Sequence, residues 1–175
     1  MFPKTLSKTV CLWALAPALA ATLAQLGSTA PDFALKDQYD HEVQLSTQRG
    51  KAVLLICGDR IGSDYMGVWA RAVRDSAVAP SVTVFRIANL RAVPSLLHSY
   101  VKHKFQSLNA EGKPSSPVLL DWDALVAKLY GFTDDVTNVY LIDQKGILRY
   151  TACGKGTPEE TAKLLAAIGN LGQAE

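Results

Sequence analysis

Residues 52–57, Ala-Val-Leu-Leu-Ile-Cys, constrain the fold more than any other stretch of this chain. An unbroken apolar run cannot alternate inside and outside, so a strand made from it must be covered on both faces. A short loop, Gly58 to Ser63, follows. Then Met66, Trp69, Ala70 and Val73 recur at i, i+3, i+4 and i+7, which marks a helix with one buried stripe. Either Ser63 or Asp64 is placed to cap it. A doubly covered strand running straight into an amphipathic helix begins an α/β layered domain.

The flanking segments extend that pattern. Residues 31–35 and 42–45 alternate apolar and polar around a turn at 37–41, as a half-buried hairpin does. Residues 82–88 read as the next strand. Pro94 opens a helix at its first turn, with Leu97, Tyr100, Val101 and Phe105 at helical spacing. After a loop at 109–116 come a short strand at 117–120 and a brief helix at 124–129. Residues 138–143 and 146–150 form a hairpin that turns at Gly146. Thr157-Pro158-Glu159-Glu160 is a capping box that starts the last helix. The expected domain is a three-layer α/β structure: a central mixed sheet flanked by helices, with an N-terminal β-hairpin extension.

The N-terminus reads as an export signal. Lys4 and Lys8 precede an apolar run from Thr9 to Ala24, and Ala18-Leu19-Ala20 suits cleavage after residue 20, with 24 as the second choice. That leaves a domain over 27–172, expected in the bacterial periplasm. The alternative is an uncleaved N-terminal anchor. The full chain has 18 basic and 16 acidic residues. Residues 1–20 hold two lysines and no acid, so the mature chain is neutral. Its balance gives no sign of a nucleic-acid or anionic-membrane surface, nor of a membrane domain beyond the leader. His41, His98 and His103 lack metal-ligand spacing, and Asp121-Trp122-Asp123 falls short of a calcium loop. No metal or cofactor is expected.

Three segments in register resemble one family. They are Ala30-Pro31-Asp32-Phe33 with Leu35, Asp37, Val43, Leu45 and Ser46; Gly50-Lys51 with the strand to Ile56; and Leu120-Asp121 through Tyr130-Gly131 to Tyr140-Leu141-Ile142-Asp143 and Gly146. Together they are similar to the thioredoxin-fold redoxins, the peroxiredoxin-like (AhpC/TSA) and TlpA-like proteins. The resemblance implies a thioredoxin-like fold and a reactive cysteine at the start of the first helix.

At that place the chain departs from the family. The family's CxxC falls on Gly62, Ser63, Asp64 and Tyr65, and the peroxiredoxin cysteine on Tyr65. The family's cis-proline falls on Thr137, expected trans because a cis non-proline bond costs about 2.5–4 kcal/mol. A helix N-terminus stabilises a thiolate, whereas a phenol forms neither sulfenic acid nor disulfide.

Two readings follow. In one, the chain is a redox-inactive binding or accessory module, using the old active-site rim to hold another exported protein. In the other, it is a thiol oxidoreductase or antioxidant working through relocated Cys57, Cys153 or both. Cys57 closes the central strand and Cys153 follows the last one. They are expected two strand spacings apart, about 9.6 Å, beyond disulfide reach unless loops rearrange. Asp59 and Arg60 are candidates for a binding loop, with Arg60 able to pair with Asp59 or Asp64 or to hold an anion.

Overall fold

The computed structural model describes residues 23–110 and 117–171. The expected leader at 1–20 and the second cleavage choice's upstream run lie largely outside them. No helix among the described residues is long and apolar enough to cross a membrane.

Seven strands form one mixed sheet: β1 (Ala34–Asp37), β2 (Glu42–Gln44), β3 (Ala52–Gly58), β4 (Val82–Asn89), β5 (Val118–Asp121), β6 (Thr137–Ile142) and β7 (Leu148–Gly154). Their spatial order is β2-β1-β5-β4-β3-β6-β7. β3, β4 and β5 run parallel, and the remaining pairings are antiparallel. β3 lies at the heart of the sheet with every residue buried, as its apolar run requires.

Four helices cover it: α1 (Ser63–Arg74), α2 (His98–Ala110), α3 (Leu125–Tyr130) and α4 (Pro158–Leu171). Alternate β3 side chains divide between two cores. Val53, Leu55 and Cys57 join Ile87, Leu119, Val126 and Tyr130 on the α3 face. Leu54 and Ile56 join Trp69, Val73, Leu164 and Ile168 beneath α1 and α4. The β3–α1–β4 and β4–α2–β5 crossovers turn with the same hand, so α2 shares the face of α1. It meets Ala88, Val118 and Leu120 there through Phe105.

The start of α4 follows the sequence. Glu160 accepts the N–H groups of Gly156 and Thr157 at 2.9 and 2.7 Å, and the Thr157 hydroxyl accepts the Glu160 N–H at 3.3 Å. The structure corrects four expectations. β1 runs Ala34–Asp37 and not 31–35; it includes Asp37, whose carboxylate accepts the N–H groups of Tyr39 and His41 and starts the turn one residue later. β7 extends to Gly154, so Cys153 lies within the strand. Pro94 precedes a 3-10 turn at Ser95–Leu97, and α2 begins only at His98. Leu97 and Tyr100 point outward, 46% and 64% exposed.

Candidate functional site

The candidate site lies where β3 ends and α1 begins. Asp59 organises it. Its Oδ1 accepts the N–H groups of Gly62 at 2.7 Å and Ile61 at 3.1 Å, and its Oδ2 accepts the Asp135 N–H at 2.9 Å. One carboxylate therefore closes the loop and ties it to the segment entering β6. Neither Ser63 nor Asp64 caps α1. Gly62 occupies the cap position without a side-chain bond, and the Ser63 hydroxyl donates to the Arg60 carbonyl at 2.9 Å. The N–H groups of Ser63, Asp64 and Tyr65 bond instead to the backbone carbonyls of Asp59, Ile61 and Gly62 at 2.9, 3.1 and 3.2 Å. Arg60 is exposed, and no ion pair joins it to Asp59 or Asp64 among the described residues.

The facing wall is Thr137. No cis peptide bond occurs among the described residues, so the Val136–Thr137 bond is trans as expected. The buried Thr137 hydroxyl donates to the Gly62 carbonyl at 2.7 Å. The contact is tight on both sides. A Cβ on Gly62 would overlap the Val136 carbonyl, only 2.6 Å from its carbon. One on Gly58 would sit 2.8 Å from the Gly62 carbonyl carbon and the Ser63 nitrogen. Two glycines thus let three backbone segments meet where the sequence resemblance puts the family's cysteine and proline. The first cysteine position of the CxxC alignment has no room for any side chain.

Tyr65 is the residue that the resemblance aligns with the other cysteine. It is half-buried, with the Lys155 ammonium 5.3 Å from its ring centroid. Ile61, four residues before Tyr65, and Val68, three after it, are 43% and 41% exposed. The rim of the site therefore carries aromatic, aliphatic and charged groups around the tight contact of Gly62 with Val136 and Thr137. The larger cavities lie elsewhere. One of about 260 Å³ runs between β1, Lys102 of α2 and the 121–125 turn.

Cys57 and Cys153, the cysteines among the described residues, are free thiols. Cys57 pairs in register with Asn138, and Asn138 with Cys153, so β6 separates them as expected. That spacing is about 9.6 Å for two strands, too far for a disulfide. Cys57 is fully buried. Burial first, and then the negative charge of Asp121, push its thiol well above the usual range. Cys153 is exposed. Asn138 between them is a clamp: its side chain accepts the Thr133 N–H and donates to the Thr133 carbonyl, both at 2.8 Å, and also to the Val136 carbonyl at 3.2 Å. No group of acidic, histidine or cysteine side chains able to hold a metal occurs among the described residues.

The roles of Asp59, Asn138 and the Gly58–Gly62 pair were not read from the sequence. The only local signal is Asp59 three residues before Gly62, the spacing of a carboxylate that caps a turn.

Comparison with known proteins places this architecture. The sequence model of the AhpC/TSA family matches residues 26–151. The thiol-disulfide oxidoreductase ResA of Geobacillus kaustophilus is 25% identical over 164 residues, covering 84% of this chain and 80% of that protein. Among solved structures, the exposed lipoprotein thioredoxin Etrx1 of Streptococcus pneumoniae aligns with a TM-score of 0.60 at 19% identity, covering 80% of this chain and 99% of that one. The reduced 2-Cys peroxiredoxin of Plasmodium vivax aligns with a TM-score of 0.60 at 21% identity, covering 85% and 96%.

Proposed function

The chain belongs to the AhpC/TSA family, and on that premise we propose that it is an exported redoxin scaffold that performs no thiol chemistry at the family's usual site and serves as a binding or accessory module. The observation that carries this reading is the closed contact of Gly62 with Val136 and Thr137. The loss of cysteine is embedded in the backbone there, since one cysteine position cannot hold a side chain and Thr137 bonds directly across the gap. What remains for recognition is the rim: Arg60, Ile61, Asp64, Tyr65, Val68 and Lys155. The aromatic ring under a lysine suits contact with another protein. Export rests on Lys4, Lys8 and the apolar run before Ala24.

The relocated-thiol reading is less favoured by the same geometry. Cys57 has neither solvent access nor a group that would stabilise its thiolate, and Cys153 has no second thiol within reach. The test is turnover: purified protein, compared with a Cys57→Ser/Cys153→Ser variant, in insulin-disulfide reduction and peroxide consumption. The proposal expects no difference between the two. Turnover by the wild type that the double variant loses would overturn it.

A further inference from the structure

From Leu90 to Ala110 the chain contains no aspartate or glutamate, while Arg91, Lys102 and Lys104 are basic and His98 and His103 add two imidazoles. The neutral total of the mature domain therefore hides an uneven distribution. This stretch includes the 3-10 turn at Ser95–Leu97 and α2. Its inward face is held to the sheet mainly by polar and ring contacts. His98 stacks on Trp122 at 3.9 Å, Gln106 donates to the Gln38 carbonyl at 2.7 Å, and Lys102 pairs with Asp40. No residue of 98–107 is fully buried.

The outward face carries the largest exposed apolar groups of this region. Leu96 is 92% exposed, Tyr100 64% and Leu97 46%, and His103, Lys104 and Ser107 follow on the same side of the helix. Such side chains ordinarily find cover. Three features indicate what covers these. The acid-free stretch, with Arg91 and Lys104 outside any ion pair recorded among the described residues, calls for a negatively charged partner. The near-complete exposure of Leu96 makes the patch a protruding tip, which enters a soft surface more readily than it fills a preformed groove. Aliphatic and tyrosine side chains beside lysine and arginine are the composition that settles at a bilayer interface, rings and chains inward and cations at the headgroups.

We propose that the outward face of the 95–107 segment, with Leu96, Leu97 and Tyr100 as the inserting tip, Lys104 as its cation and exposed Arg91 in the preceding turn as a second, docks the domain onto an anionic phospholipid surface. The apolar run at Thr9–Ala24 brings the chain to a membrane in either form of the leader, so a lipid surface is the first anionic partner within reach. This face is built from residues separate from the Gly62–Thr137 rim, and it holds or fails independently of the function proposed there.

Hydrogen exchange of the full chain tests it on two kinds of vesicle, pure phosphatidylcholine and phosphatidylcholine with about one-third phosphatidylglycerol. Lys4 and Lys8 beside the apolar run favour the anionic vesicles as well, so the patch is read by exchange at residues 94–107 against variants that leave the N-terminus unchanged. The expected result is exchange over residues 94–107 slowed about tenfold by the anionic vesicles only. An Arg91→Glu/Lys104→Glu variant, and separately a Leu96→Ser/Tyr100→Ser variant, should lose that slowing while α4 keeps its protection. Equal exchange on both vesicles overturns the proposal, as does slowing that survives Arg91→Glu/Lys104→Glu. Slowing by soluble polyglutamate with none on vesicles also overturns it, in favour of an acidic protein partner.

Discussion

Gly62 decides most at the scale of single residues. A Cβ there must displace the Val136 carbonyl, and backbone cannot yield as a flexible side chain does. Gly62→Cys, the change that would restore a CxxC with Tyr65→Cys, is expected to destabilise the fold by about 2–3 kcal/mol in urea denaturation. Tyr65→Cys alone should fold, since Tyr65 is only half-buried. Asp59→Ala leaves the N–H groups of Ile61, Gly62 and Asp135 without their acceptor. It should cost about 1–3 kcal/mol by the same measurement. Should Gly62→Cys prove as stable as the wild type, the site would not be closed by contact.

At the scale of elements, β3, α1 and α4 were legible because each has one dominant periodic signal. The apolar run Ala52–Cys57, the stripe Met66–Trp69–Val73 and the capping box at Thr157 need no tertiary information. α2 was half legible. Its spacing forecast a helix, but the sequence could not show that Tyr100 faces outward, because α2 is anchored by contacts to Trp122, Gln38 and Asp40, all distant in sequence. The extension of β7 through Cys153 was missed for a similar reason: its pairing partner, β6, supplies the ladder.

The β6–β7 turn also carries an acid-sensitive contact. Burial alone would raise the Asp143 carboxyl, but the Ile147 N–H at 2.8 Å and the Arg149 guanidinium at 2.7 Å outweigh it and hold the group below its ordinary value. A carboxylate lowered by folding contributes stability above its unfolded pKa, near about 4, and that contribution disappears as pH falls through the lower folded value. Wild type should therefore lose stability on acidification below about pH 4 more steeply than Asp143→Asn. Parallel pH curves of melting temperature for the two would contradict this.

For the molecule as a whole, the sequence carried the thioredoxin-like layout and the absence of cysteine from residues 62–65. It did not carry the contacts that those residues make. Asp59, Asn138 and the two glycines act across strands that lie far apart in the chain, and no local pattern reports such meetings. The neutral charge balance likewise concealed the acid-free stretch around α2, because a sum over the chain has no positions in it. Cys57 and Cys153 express the central claim most plainly: the fold separates them by a strand and seals Cys57, and Cys153 has no disulfide partner among the described residues.

The most direct test is the rate of alkylation of each cysteine in the native protein, resolved by mass spectrometry over a range of pH. The account predicts that Cys57 reacts only as fast as the protein unfolds, while Cys153 is modified without unfolding and shows no link to the state of Cys57. A Cys57 that reacts rapidly in the folded protein at neutral pH, with the profile of a stabilised thiolate, would contradict the account and return the chain to the thiol enzymes.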